Sequence, residues 1–392
     1  MSFEDQLRSD LGGLRLPETL APPADLADTV LIGMRRQARR RALVAAGGLA
    51  IAVAVAGATA PTWLSPQPSP GPIVSTSRAC GGPLPTRPPA PAWEYFNPLT
   101  FEIDAGSVTG YRVKAHHLST YYQTLEMVNP ASNRIVGVLL YAAGGEPHRF
   151  DAQNNAVPFD PGAGEPAGSV HGAPAFWLPD DGFGTVGLNP QGLAWRWAPG
   201  AWVFVFAGQV TPGPDPAAST VDPAELRTIA AQVAPQLELG VGAPVTSPFS
   251  MPVPDCTRLA TSILFRETNN NGAPYTRFLL GFDTADKVDP TYPPPDETQP
   301  SLVVMADNRG APDNLDAQTW YPEDLGHPAY VNDGTLSVYG VSGFAVEIWS
   351  VAMPNADTDA EKARLAAGIF RTITVHPGAA DGEAAWGDPI VP

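Results

Sequence analysis

The chain has 392 residues, with 40 acidic and 23 basic side chains and a net charge of −17. That balance excludes a general nucleic-acid or anionic-lipid binder, because the bulk of the chain repels phosphate, and an apolar fraction of 44% excludes a wholly disordered chain. Forty-five prolines, about twice average usage, predict long loops, linkers and edge strands rather than long helices.

The charge is unevenly placed. Residues 1–41 hold seven arginines and six acids, residues 42–64 hold none, and the remainder carries 16 basic and 34 acidic groups. Within 1–41, Ser2 to Leu11 predicts a short helix with an acidic first turn, broken by Pro17, Pro22 and Pro23. Asp25 can cap a second helix carrying Leu26, Val30, Leu31 and Met34 near 3.6-residue spacing. This segment reads either as a docking peptide for a cytoplasmic regulatory protein or as an insertion signal and topology anchor. It contains neither His nor Cys, which excludes a zinc-type anti-sigma domain built on His-x3-Cys-x2-Cys.

Residues 42–64 organise everything after them. They form an uncharged run behind Arg35, Arg36, Arg39, Arg40 and Arg41. At about 1.5 Å rise per residue the run makes a helix of about 35 Å, enough to cross a hydrocarbon core of about 30 Å. Arginines on one flank only orient it with the N-terminus in the cytoplasm and the rest of the chain extracellular. The expectation is a single-pass cell-membrane protein. Ala58-Thr59-Ala60 also fits a small-x-small cleavage site, which would release a secreted product starting at Pro61. Ala46, Ala50, Ala54 and Ala58 form a small-residue stripe of the kind that packs two spans together, although so Ala-rich a run produces such stripes by chance.

From Pro61 to Pro91 the sequence is rich in Pro, Ser and Gly, and residues 65–92 read as a semi-rigid stalk. The only cysteines are Cys80 and Cys256. Both lie beyond the span, in an oxidising setting, so a Cys80–Cys256 disulfide is expected, with two free or intermolecular thiols as the alternative. Closing a loop of roughly 175 residues contributes at most about 5 kcal/mol by the chain-entropy argument. Two cysteines so far apart make no zinc site.

Residues 93–240 read as a first α+β unit. Strands are expected at 111–115, 121–129 and 134–142, then, after a Gly/Pro/Asp-rich loop over 144–168, at 171–177, 193–197 and 201–206. A helix closes the unit, with Asp222 as cap, Pro223 in the first turn and Leu226, Ile229, Ala230 and Val233 on one face. Residues 250–376 read as a second unit. Residues 257–267 are ambiguous between helix and strand; strands follow at 275–283, 301–307, 328–332, 336–341 and 344–352. A helix capped by Asp357 or Thr358 runs to Phe370, with Ala363, Leu365, Ala366, Ile369 and Phe370 facing in, and 373–376 adds a last strand. Residues 377–392 are small and acidic and read as a disordered tail.

The two units look alike. Gly172-Ala173-Pro174-Ala175-Phe176 parallels Gly326-His327-Pro328-Ala329-Tyr330, and each is followed by a turn, Asp180-Asp181-Gly182 or Asn332-Asp333-Gly334. Residues 200–205 parallel 343–348, and the helix from Asp222 to Val233 parallels the one from Asp357 to Ile369. The fold class expected is therefore α+β: tandem extracytoplasmic units, each an antiparallel sheet covered by one helix, after a single transmembrane helix. This order of basic run, Ala-rich span, Pro-rich stalk, G-x-P-A strand, Trp-rich strand pair and closing helix resembles uncharacterised single-pass envelope proteins of actinobacteria, some of which resemble transmembrane anti-sigma-type regulators. The resemblance implies a location and a sensor-like build, and it transfers no catalytic residues.

Motifs for chemistry are scarce. Gly340-Val341-Ser342-Gly343-Phe344 fails the nucleophile elbow at its last position, and there is no H-E-x-x-H and no Gly-rich Lys loop. His116 and His117 point to opposite faces of a strand and cannot share a metal. His171 and His327 fall near equivalent places in the two units. Asp307, Asn308, Asp313, Asn314 and Asp316 crowd one loop without EF-hand spacing. Trp177, Trp195, Trp197 and Trp202 are the candidate binding groove, with Trp195 and Trp197 on one strand face; such aromatics either line a groove for a glycan, lipid or peptide or form core. The function expected is a membrane-anchored, non-catalytic extracytoplasmic sensing or binding module with no cofactor and no metal. The alternatives are an anti-sigma-type regulator acting through the N-terminal segment and an envelope enzyme acting on cell-wall polymer.

Overall fold

The structure is a computed structural model that describes residues 93–391 except 107, 151–155, 179–187, 210–221, 269–273, 285–286, 288–299, 309–318, 322, 333, 351–352 and 354–355. The expected cytoplasmic segment, span and stalk, and with them Cys80, lie outside the described residues, as does the turn 180–182. Among the described residues no helix is long and apolar enough to cross a membrane.

The chain alternates strands with only two α-helices among the described residues. The first half contains β1 (Thr100–Asp104), β2 (Arg112–Ser119), β3 (Tyr122–Asn129), β4 (Arg134–Tyr141), β5 (His148–Phe150), β6 (Ala156–Pro158), β7 (Glu165–Val170), β8 (Ala173–Trp177), β9 (Leu188–Ala198), β10 (Ala201–Gln209), α1 (Pro223–Val233) and β11 (Glu238–Pro244). The second half contains β12 (Phe249–Ser250), β13 (Thr257–Thr268), β14 (Pro274–Thr284), β15 (Leu302–Asp307), β16 (Thr319–Trp320), β17 (Ala329–Asn332), β18 (Thr335–Val341), β19 (Phe344–Ser350), α2 (Asp359–Phe370) and β20 (Thr374–Val375). The segment 257–267, ambiguous in the sequence, is the long strand β13, hydrogen-bonded on both sides.

The duplication is visible in the hydrogen-bonding order. One antiparallel sheet of 14 strands runs β16-β17-β18-β19-β15-β14-β13-β2-β3-β4-β10-β9-β8-β7. Read outward from its centre, one arm is β2-β3-β4-β10-β9-β8-β7 and the other is β13-β14-β15-β19-β18-β17-β16, the same path in both halves. Outside the large sheet, β1 pairs with β11 and β12 with β20, so in each half the opening strand pairs with the strand that follows the helix. A register shift at Val113/Ala115 in the β2–β3 ladder recurs at Leu259/Thr261 in the β13–β14 ladder. Aligning the halves on that shift puts the facing pair His117 and Ile263 on the pseudo-twofold axis.

This corrects the expectation of two separate sheets. The halves join through β2 and β13, from Ala115↔Phe265 to Ser119↔Thr261, and Leu118 of β2 packs into the core of the second half. A sheet edge left bare is an open template for pairing; here the first strand of each arm, β2 and β13, closes on the other. The Thr261 hydroxyl adds a bond to the Leu118 carbonyl oxygen at 2.8 Å, and the Ser262 hydroxyl donates to the Pro98 carbonyl oxygen.

Both helices follow from their sequence signals. Asp222 accepts from the Ala224 N–H, Pro223 occupies the first turn, and Leu226, Ala230 and Val233 are buried. Thr358 and Glu361 form a reciprocal capping box at α2. α1 lies over β9 and β10, and α2 over β18 and β19. Under α1 the core holds Leu125, Met127, Val136, Val138, Val203 and Val205. Under α2 it holds Phe278, Leu280, Phe282, Val304, Val346 and Ile348.

The first half differs from the expected one-sided sheet. β10 is buried on both faces: Val203, Val205 and Ala207 turn to α1, and Trp202, Phe204 and Phe206 turn the other way. The segment between β4 and β7 supplies cover for that reverse face, with the Phe159 ring 5.9 Å from that of Phe204. In the second half the matching residues of β19 are Ala345, Glu347 and Trp349, and the last two are only half-buried.

The tail also departs from expectation. Residues 379–381 and 383–385 form short 3-10 turns, Ala379 is buried, and Ser247 and Met251 make β-bridges to Gly387 and Ile390. The Trp386 ring packs edge-on against Phe278 at 6.1 Å, and Glu383 takes both arms of the Arg266 guanidinium at 2.5 and 2.6 Å. Composition suggested disorder; one aromatic anchor and one bidentate pair hold the segment instead.

Candidate functional site

An open cleft of about 430 Å³ lies in the first half, lined by His171, Gly172, Ala173, Trp195, Arg196, Trp197, Leu237 and Leu239. Three pieces of chain build it. The tight turn between β7 and β8 brings His171 and Gly172, both with positive φ (49° and 79°), which glycine adopts at no cost and histidine does not. β9 presents Trp195 and Trp197 two residues apart on one face. The end of the 3-10 turn after α1 and the start of β11 bring Leu237 and Leu239.

Each side chain is held from behind. The Trp197 indole N–H donates to the Tyr141 carbonyl oxygen at 3.0 Å, and its ring stacks on Phe96 at 6.2 Å. Gly240 passes this ring closely enough that an added Cβ would lie 3.7 Å from it. His171 Nε2 is 3.3 Å from the Ala234 carbonyl oxygen, and its ring lies 6.3 Å from that of Trp195. Trp195 is fully buried, yet its indole N–H finds no acceptor among the described residues. A sealed donor without a partner costs about 1–3 kcal/mol, so the fold carries a penalty at this wall.

The four candidate tryptophans do not share one groove. Trp195 and Trp197 line the cleft. Trp177 packs beside α1, with the Arg227 guanidinium 5.2 Å over its ring. Trp202 is on the reverse face, between Phe176 at 6.4 Å and the Arg196 guanidinium at 5.0 Å. The alternation of β10 could have predicted this, since Trp202 faces away from Val203. The sequence reading missed His171, Leu237 and Leu239 as neighbours of the tryptophans: no local pattern reports that the chain after α1 returns to the turn before β8.

The second half shows what the fold alone requires at these places. Trp195 pairs with Ala175 and Val203; Val338 pairs with Ala329 and Val346. Val338 is therefore the counterpart of Trp195, Gly340 of Trp197 and Leu325 of His171. The same ladder closes with a valine and a glycine, so the aromatic set is specific to the first half.

Electrostatically the cleft is bare. Among the described residues no carboxylate, lysine, cysteine or hydroxyl lines it, and the Arg196 guanidinium is engaged with Trp202 on the far side. Its accessible chemistry is that of the half-buried Trp197, the His171 imidazole and backbone, since the Trp195 N–H is sealed behind the wall.

The other candidates stay apart. His116 and His117 do face opposite sides: His116 meets Phe101 at 4.7 Å, and His117 meets Tyr122 at 5.4 Å. Burial, helped by the nearby Arg266 charge, holds His116 down to about 3, and burial holds His117 down to about 4. Burial raises Glu102, opposed by the Gly242 N–H. His171 and His327 sit in different halves, two positions apart in the aligned register. Asp307 pairs with Arg277 at 3.1 Å, and residues 313–316 lie outside the described residues; among the described residues no cluster of metal-binding side chains occurs. Ser342 occupies the hairpin turn before β19 with φ 50°. Cys256 stands in the turn before β13 with φ 65°, and no free cysteine is found among the described residues. No protein-family model matches this chain, and no curated protein matches it.

Proposed function

We propose that the protein is a single-pass membrane protein whose acidic body stands outside the cytoplasm and binds a small ligand without transforming it. The carrying observation is the aromatic cleft, which the first half has built on a ladder that needs only Val338 and Gly340 at the same places. Among the described residues its lining carries no carboxylate or nucleophile beside His171, which supports binding over catalysis. The anchor is residues 42–64, oriented by Arg35, Arg36, Arg39, Arg40 and Arg41. Cys256 and Cys80 form the bridge that ties the stalk to the body, and residues 2–34 carry any signal to a cytoplasmic partner.

Deletion of 42–64 tests the anchor. The full chain pellets with membranes and resists alkaline carbonate, whereas the deleted chain is soluble in the same lysate. A full-length chain extracted by carbonate contradicts the reading.

A further inference from the structure

We infer that the cleft of the first half is the seat of this chain's own stalk: residues 83–91, Pro-Leu-Pro-Thr-Arg-Pro-Pro-Ala-Pro, dock along it as a polyproline helix. This goes beyond the ligand reading above, because the occupant belongs to the chain itself and anything else that enters must displace it. The stalk joins the body at Trp93, whose carbonyl oxygen accepts from the Ala143 N–H at 2.6 Å. Ala143 in turn lies against Gly200, where an added Cβ would be 3.3 Å from the alanine methyl. Gly200 is in the turn between β9 and β10, just past Trp197. A few residues after Trp93, Phe96 stacks on the Trp197 ring itself. The stalk therefore enters the body beside the cleft, and a segment tethered so closely meets a neighbouring site at a high effective concentration.

The two surfaces match in shape and charge. Pro85, Pro88 and Pro91 recur at every third position, so they share one face of a helix with three residues per turn. Such helices dock on aromatic walls, and they lose little entropy in doing so because they are extended beforehand. The cleft offers that wall: Trp197 is half-buried, with part of its ring under Phe96 and the rest toward the cleft, and His171, Leu237 and Leu239 continue it. Residues 65–92 carry Arg78 and Arg87 and no acid, whereas residues 93–392 carry 34 acidic and 14 basic groups. At the border of the cleft Glu238, between Leu237 and Leu239, faces Asp104 in the β1–β11 ladder. Both carboxylates are exposed, and no ion pair to either occurs among the described residues. Like charges directly opposite each other repel, and Arg87, set between Pro85 and Pro88, supplies the cation that relieves them.

The test replaces Ala90 by the photoreactive p-benzoylphenylalanine in the full chain in detergent, irradiates it, and maps the crosslinked peptides by mass spectrometry. An intramolecular crosslink to 171–173, 195–197 or 237–239 is expected. Arg87→Glu is expected to lower its yield threefold or more at low salt, and Asp104→Lys with Glu238→Lys to restore it in that variant. Trp197→Ala is expected to lower the yield as well; circular dichroism identifies a variant that fails to fold, and the charge exchange then decides alone. Crosslinks on the reverse face near Trp202 or elsewhere on the body, or no crosslink at all, overturn the docking and leave the ligand reading standing. Covalent dimers in place of the intramolecular product make a second copy the source of the stalk and overturn it too, as does a cleft crosslink that neither Arg87→Glu nor a folded Trp197→Ala alters.

Discussion

An imidazole buried without an acceptor makes stability depend on pH. His116 has an ordinary value near 6.5 when unfolded and about 3 when folded, with burial as the main cause and Arg266 as the second. Between those values the unfolded chain binds more protons than the folded one. Stability therefore rises with pH across that window and is lost as pH falls from about 6.5 toward 3, by about 1.4 kcal/mol per pH unit for one such group. His116 faces Leu264 across the seam and Phe101 from β1, so leucine fits its surroundings. His116→Leu is expected to gain about 2 kcal/mol relative to the parent between pH 7 and pH 5, read by urea unfolding at both values. A difference independent of pH would mean that His116 is not the buried neutral group described.

At the scale of elements, the ends of helices make separable contributions. Thr358→Ala removes the cap that accepts from Glu361 N–H and is expected to cost about 1 kcal/mol in chemical denaturation. The tail makes a sharper case. Trp386 packs on Phe278 and donates its indole N–H to the Ala379 carbonyl oxygen at 3.0 Å; Trp386→Ala is expected to cost about 2 kcal/mol, whereas a loose tail would give no change. These elements also show what the sequence made readable. Both helices could be read because Asp222-Pro223 and Thr358-x-x-Glu361 announce their starts and apolar spacing announces their faces. β7 and β11 could not. Glu165-Pro-Ala-Gly-Ser-Val and Glu238-Leu-Gly-Val-Gly-Ala-Pro contain Pro and Gly without alternation, and they are strands only because they lie at an edge or in a two-stranded pair where such residues are tolerated. The tail escaped for a related reason: its mostly small and acidic residues conceal Trp386 and Ile390, the ones that fasten it. Of the site, the Trp195–Trp197 face was legible from period two, while its partners His171, Leu237 and Leu239 come from pairings that span many residues.

At the scale of the whole molecule, the sheet is continuous through the β2–β13 ladder, so damage in one arm should reach the other. Phe344 is buried under α2, and Phe344→Ala removes about 3–5 kcal/mol of core packing. Hydrogen exchange read by mass spectrometry is expected to show faster exchange in β10 as well as in β19. Loss of protection confined to β13–β20 would mean that the halves open independently. The duplication itself was readable from Gly172–Phe176 and Gly326–Tyr330, which the ladders align residue for residue; that the copies share one sheet was not, because β2 and β13 carry no signal naming each other as partners.

The proposed anchor at 42–64 would place this body outside the cytoplasm. Fusing alkaline phosphatase, which folds only outside the cytoplasm, and in parallel a cytoplasm-dependent fluorescent protein to Pro392 of the full chain in a bacterial host measures that directly. The account predicts an active phosphatase fusion and a dark fluorescent one. A bright fluorescent fusion with inactive phosphatase would contradict it.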